Sequence, residues 1–189
     1  MECRRKKIII HNKHVLYAFK HGKNLLMVKE KYESSETGFS TYDKDGNLVF
    51  SYKYLGNSLT FREVNIASIN GVIISADYEE EKRKLVVLNE LEEKRSLLIY
   101  NEKADFIAEI ISPRGYTFVS LKNNMGNIMV VAQGTNDMTR DSFGRNDWNF
   151  KIDFDNFCVQ KNQLRNKIIL IMAILSGSQQ HTTSCTSIN

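Results

Sequence analysis

Near the end of the chain, Ile168 to Leu175 forms an uninterrupted run of eight apolar residues, Ile168, Ile169, Leu170, Ile171, Met172, Ala173, Ile174 and Leu175. Few folds accommodate such a run. As a helix it would be apolar all round, with no face to offer water, so it has to be surrounded on every side. At about 1.5 Å per residue it reaches roughly 12 Å, far short of the about 30 Å hydrocarbon core of a bilayer. A spanning helix is disfavoured and an enclosed one is expected. Upstream, Trp148, Phe150, Ile152 and Phe154 alternate with polar residues, the period of a half-buried strand. The combination predicts a mainly β fold in which a closed β-barrel is plugged by a buried C-terminal hydrophobic helix.

The middle of the chain repeats one pattern: a few strand-forming residues, a polar turn rich in Asn, Asp or Gly, and a second strand. Phe39 to Phe50 turns around Asp43, Lys44, Asp45, Gly46 and Asn47. Leu59 to Ile74 contains Asn70-Gly71, a two-residue signal for a tight hairpin. Leu97 to Ile110 turns around Asn101, Glu102 and Lys103, and Tyr116 to Val131 around Asn123, Asn124, Gly126 and Asn127. Pro113, the single proline, falls between two of these units, where a missing backbone donor does no harm. Leu85 to Leu88, flanked by charged stretches, reads equally as a strand or a helical turn.

A length of 189 residues suits one domain. We expect a basic tail over 1–7, a barrel domain over 8–175 and a disordered tail over 176–189, where Ser, Thr, Gln and His replace any apolar periodicity. The net charge of +4 biases the molecule only mildly toward anionic surfaces. Cys3, Cys158 and Cys185 are odd in number and widely spaced, which suggests neither a disulfide framework nor a zinc site. Three isoleucines after the basic group are too few for a signal-peptide core, so a cytosol-facing location is expected.

Catalytic machinery is not visible. Asp43, Asp45 and Asn47 are spaced like the start of a calcium loop, but Leu48 and Tyr54 stand where that motif needs Gly and Glu. A hairpin turn is the better reading. His11, His14 and His21 lack Cys or carboxylate partners at ligand spacing. No nucleophile elbow and no phosphate-cradling glycine loop occurs. Arg4, Arg5, Lys6 and Lys7, next to Cys3, could contact anionic lipid, with Cys3 as an acylation candidate, or serve in nuclear import. A solvated terminus is the plain alternative.

Several segments, taken in order, resemble the phospholipid scramblases of the tubby-like barrel superfamily. They are Ile8-Ile9-Ile10-His11 leading to Ala18-Phe19, then Leu59-Thr60-Phe61-Arg62, then Tyr100-Asn101-Glu102-Lys103. The strongest likeness is Arg140-Asp141-Ser142-Phe143 followed by Asn149-Phe150-Lys151-Ile152-Asp153-Phe154 and the apolar run. The resemblance implies a closed antiparallel barrel of about twelve strands around the C-terminal helix. It also implies ATP-independent, bidirectional movement of phospholipid between leaflets, stimulated by calcium, at the cytosolic face of the plasma membrane or another membrane. Asp147, Asp153 and Asp155 are the calcium-ligand candidates it suggests. The family's cysteine clusters and proline-rich arm have no counterpart in this chain. The alternative is a non-transporting tubby-like module that binds phosphoinositide headgroups or nucleic acid through a basic face, with the nucleus as its location.

Overall fold

A computed structural model describes residues 15–21, 24–31, 37–66, 69–124, 126–142 and 144–161. Strands dominate, and every pairing is antiparallel between neighbours in sequence. The first sheet runs in order through β1 (Val15–His21), β2 (Leu25–Lys31), β3 (Thr37–Tyr42), β4 (Leu48–Lys53), β5 (Leu59–Phe61) and β6 (Val64–Ile66). The second holds β7 (Val72–Glu79), β8 (Lys84–Leu91), β9 (Lys94–Tyr100) and β10 (Phe106–Ile111). The third holds β11 (Tyr116–Asn124), β12 (Asn127–Gly134), β13 (Asp147–Asp153) and β14 (Cys158–Lys161).

The ambiguous run Leu85 to Leu88 is the centre of β8, and the reason for its uniform composition is now clear. Leu85 and Val87 point into a core shared with the first sheet, where they meet Leu59, Phe61 and Ile73. Val86 and Leu88 point the other way, into a core with Phe118, Val130 and Phe150 of the third sheet. All four are fully buried. A strand alternates its faces residue by residue, so a run with no polar position means that both faces are covered. The second sheet is therefore the middle layer of three.

This layering corrects the expected single closed barrel of about twelve strands. Among the described residues fourteen strands fall into three separate sheets, and no ring of hydrogen bonds joins them. The two cores lie on opposite faces of one sheet, whereas a plugged barrel has one interior. The Ile168 to Leu175 segment, expected as the plug, lies outside the described residues, as do the tails at 1–7 and 176–189.

Three of the four expected hairpins form where their turn chemistry predicts: β3 with β4, β9 with β10, and β11 with β12. The fourth needs correction. β5 and β6 close through Arg62-Glu63, with Phe61 paired to Val64, while Asn70-Gly71 carries the chain from the first sheet to the second. Gly71 has φ +104°, and a Cβ there would overlap the Glu90 carbonyl oxygen. The Asn89 side-chain amide donates to Asn70 O at 2.8 Å, fixing the crossing. The turn signal was real, but backbone close to β8 uses it, so it makes no hairpin.

If both faces of β8 are packed, Leu85→Ala and Leu88→Ala each lower stability by about 2–5 kcal/mol in urea denaturation. A negligible effect from either would show that its face of the sheet is not part of a packed core.

Candidate functional site

Hairpin tips of the first and second sheets enclose an open groove of about 740 Å³. Its wall is built from Asn24 ahead of β2, Asp43 and Lys44 in the β3–β4 turn, Arg62 and Glu63 between β5 and β6, Glu80 and Arg83 between β7 and β8, and Glu102 between β9 and β10. Arg62 is the best-held cation. Its guanidinium lies 5.7 Å from the Phe61 ring centre and 5.2 Å from that of Tyr78, and Nη2 donates to the Tyr78 hydroxyl at 2.9 Å. Burial pushes the Tyr78 hydroxyl above its usual pKa, against the opposing pull of Arg62, so it stays protonated at neutral pH.

Glu102 stands between the two arginines, 4.0 Å from Arg62 and 3.4 Å from Arg83. These pairs are solvent-exposed, a setting in which an ion pair contributes only about 0–1 kcal/mol. Glu80 accepts from the backbone and side-chain nitrogens of Asn24. Asp43 is consumed by its own turn, accepting from Asp45 N, Asn47 N and Asn47 Nδ2 at 2.8 to 3.1 Å. Burial works against its charge, but those donors outweigh it and hold the carboxyl below its usual range. The calcium-loop spacing in this turn is thus an Asx turn. Cations and carboxylates nearly balance in the groove, with Lys44, Arg62 and Arg83 against Asp43, Glu63, Glu80 and Glu102. Arg62, Glu63 and Arg83 also have positive φ, at 46°, 70° and 53°, a conformation that non-glycine residues adopt at a cost.

A second polar feature lies where the three sheets meet. Asp77 on β7, 2 % exposed, accepts from Asn123 Nδ2 of β11 at 3.2 Å and sits 2.8 Å from His21 Nε2 of β1. Two residues on, Glu79, 3 % exposed, accepts the Ile128 backbone N–H at 2.7 Å. Buried carboxylates beside a histidine can serve catalysis; here Asp77 Oδ1 also accepts the Tyr78 backbone N–H, and the donors Asn123 and Ile128 come from the third sheet. They fasten the layers together. Burial, reinforced by the negative charge of Asp77 and opposed by the Ile128 N–H, raises the pKa of Glu79.

The calcium candidates are not brought together. Asp147 opens β13 and Asp153 closes it, a separation of roughly 20 Å at about 3.3 Å per residue. Asp153 spends both carboxylate oxygens on Asp155 N, Asn156 N and Asn156 Nδ2, bonds that lower its pKa, with the Asn156 side chain contributing most. Asp155 lies 3.4 Å from Lys82. No group of three His, Cys, Asp or Glu among the described residues is placed to hold a metal ion. Cys3, Arg4, Arg5, Lys6, Lys7, His11 and His14 lie outside the described residues. Among the described residues no helix is long and apolar enough to cross a membrane.

The groove was not foreseen. Arg62-Glu63 has the alternating residues Leu59 to Phe61 before it and Val64 to Ile66 after it, which is a hairpin signal. It is hidden because neither turn residue is Gly, Asn or Asp, and the nearby Asn70-Gly71 is a stronger lure. No protein-family model, curated protein or solved structure matches the chain.

A raised folded-state pKa stabilises the fold below the unfolded pKa, and the contribution is lost as pH rises through the folded value. The wild type should therefore gain stability relative to Glu79→Gln as pH falls from 8 toward 5, measured by urea midpoints. Parallel pH profiles for the two proteins would place Glu79 in a solvated setting instead.

Proposed function

We propose that the protein is a non-catalytic binding module that takes a zwitterionic phospholipid headgroup into the groove at the hairpin tips, and that it acts on phospholipid at a membrane surface. The charge pattern of the groove carries this reading. A headgroup such as phosphocholine offers one phosphate and one ammonium, and the groove offers arginines interleaved with carboxylates. Arg62 and Arg83 are the phosphate donors, since a guanidinium matches phosphate oxygens with paired N–H groups. Glu63 and Glu80 face the ammonium. Glu102 yields its place between the arginines at small cost, because an exposed ion pair is weak.

The near-neutral groove gives no advantage to a polyanion, which favours this reading over nucleic acid or a phosphoinositide at the same site. The scramblase resemblance extends the proposal to ATP-independent, bidirectional lipid transfer, with Arg4 to Lys7 and an acylated Cys3 holding the protein to an anionic membrane. It extends as well to calcium stimulation, for which Asp153 and Asp155 are neighbouring candidates and Asp147 stands at the other end of β13.

Titration with phosphocholine, followed by NMR, and exchange of a leaflet-specific fluorescent lipid in reconstituted vesicles test the two parts. Binding should weaken roughly ten-fold or more in Arg62→Gln/Arg83→Gln, the loss expected for charge-assisted hydrogen bonds. Absence of phosphocholine binding by the wild type would refute the headgroup site. Binding without lipid exchange, with and without calcium, would keep the module and refute transfer.

A further inference from the structure

The β7–β8 turn that gives Glu80 and Arg83 to the headgroup groove gives Glu81 and Lys82 to a second cavity, of about 530 Å³, between the second and third sheets. Glu79, near the start of that turn, lies on its wall, and Ile128 of β12, Ile152 of β13 and Phe154 just after β13 supply apolar surface. The size suits a small organic molecule held by apolar walls and a few polar groups.

Two carboxylates are buried among the described residues, Asp77 and Glu79, and they are unequally provided for. Asp77 has the Tyr78 backbone N–H, Asn123 Nδ2 and His21 Nε2 within 3.2 Å. Glu79 receives one hydrogen bond, from the Ile128 N–H to Oε2, where a carboxylate can accept about four. No donor from a described residue reaches Oε1, and that atom is not sealed into the packing, so it opens onto the cavity. Burial and then the negative charges of Asp77, Glu81 and Glu80 act against its ionised form, with the Ile128 N–H opposing them. The lysines at the mouth do not redress this. Lys82 lies 3.4 Å from Asp155, and around the cavity as a whole Glu79, Glu81, Asp153 and Asp155 stand against Lys82 and Lys151. The missing partner is therefore a cation that also donates hydrogen bonds. A metal ion suits the place poorly, since no three His, Cys, Asp or Glu among the described residues converge to hold one, and apolar walls offer it no oxygen.

We propose that this cavity binds a small primary alkylamine in its ammonium form, which donates one N–H to Glu79 Oε1 and others to the side-chain carbonyls of Asn124 and Asn127, and rests its carbon skeleton on Ile128, Ile152 and Phe154. The three N–H groups of a primary ammonium match three acceptors on the cavity wall, and a charge-assisted bond to a buried carboxylate is the strong kind. The site uses neither Arg62 nor Arg83, so it stands or falls apart from the headgroup groove.

The test adds phenethylamine to the full chain at neutral pH and follows it by NMR. The Ile128 amide, which bonds to Glu79, should shift, and phenethylamine should bind at least ten-fold more tightly than 2-phenylethanol, which has the skeleton without the charge. Benzyltrimethylammonium keeps the charge but has no N–H, and should also bind ten-fold or more weakly. Glu79→Gln leaves an acceptor for the Ile128 N–H but removes the charge, and should cost ten-fold or more; Glu81→Lys, an exposed change at the mouth, should cost three-fold or more and serves if Glu79→Gln does not fold. Arg62→Gln/Arg83→Gln should bind phenethylamine as the wild type does. Equal affinity for phenethylamine and 2-phenylethanol, wild-type affinity in the folded Glu79→Gln or in Glu81→Lys, or no shift of the Ile128 amide at millimolar amine would overturn the proposal. So would competition by calcium, which would make Glu79 a metal ligand, or equally tight binding of Nα-acetyl-lysine amide, which would give the cavity to a lysine side chain of a partner protein.

Discussion

A strand whose consecutive side chains are all apolar is stable only where something covers each of its faces, and β8 carries four such residues in a row. That requirement organises the rest of the molecule. The first sheet supplies Leu59 and Phe61 to one face, and the third supplies Phe118, Val130 and Phe150 to the other. At about 2 kcal/mol for each fully buried aliphatic side chain, the middle sheet contributes more to holding the layers together than any polar contact between them. Asp77 and Glu79 add specificity to that packing. They leave the same strand, and their bonds to Asn123 and Ile128 tie it to the third sheet, with His21 of the first sheet 2.8 Å from Asp77.

Stacking three meandering sheets also decides where chemistry can occur. The layers bury their faces, so the exposed, variable parts are the hairpin tips and the outer edges. At one set of tips, turns from two sheets face each other and bring arginines and carboxylates into one groove. Two of these turns are held by their own side chains: Asp43 and Asn101 each accept backbone N–H groups two residues or more ahead. These residues therefore shape the tips, while Arg62 and Arg83 meet Glu102 in exposed ion pairs of the weak kind.

Much of the β character could be read from the residues, because its signals are local. Alternating apolar positions and turns rich in Asn, Asp and Gly located three hairpins, and the β13 strand followed from Trp148, Phe150 and Ile152. What could not be read is non-local. A buried run such as Leu85 to Leu88 has the same composition whether it lies in a helix or a doubly covered strand, and only its neighbours decide. Asn70-Gly71 looks identical as a hairpin turn and as a crossing between sheets, since both need positive φ. The distance between Asp147 and Asp153 could not be read for a similar reason, since residues six apart can be near one another on a folded loop but lie far apart along a strand. The groove was invisible because its residues come from five separate turns, and no spacing in the chain links them.

Hydrogen exchange read residue by residue tests the layered arrangement most directly. If the second sheet is covered on both faces, the amides of Leu85 to Leu88 exchange slowest of all, and those of β14 and the β10 edge exchange far sooner, because opening β8 requires both cores to come apart. Exchange in β8 as fast as at those edges would mean that one of its faces meets water, and the three-layer account would be wrong.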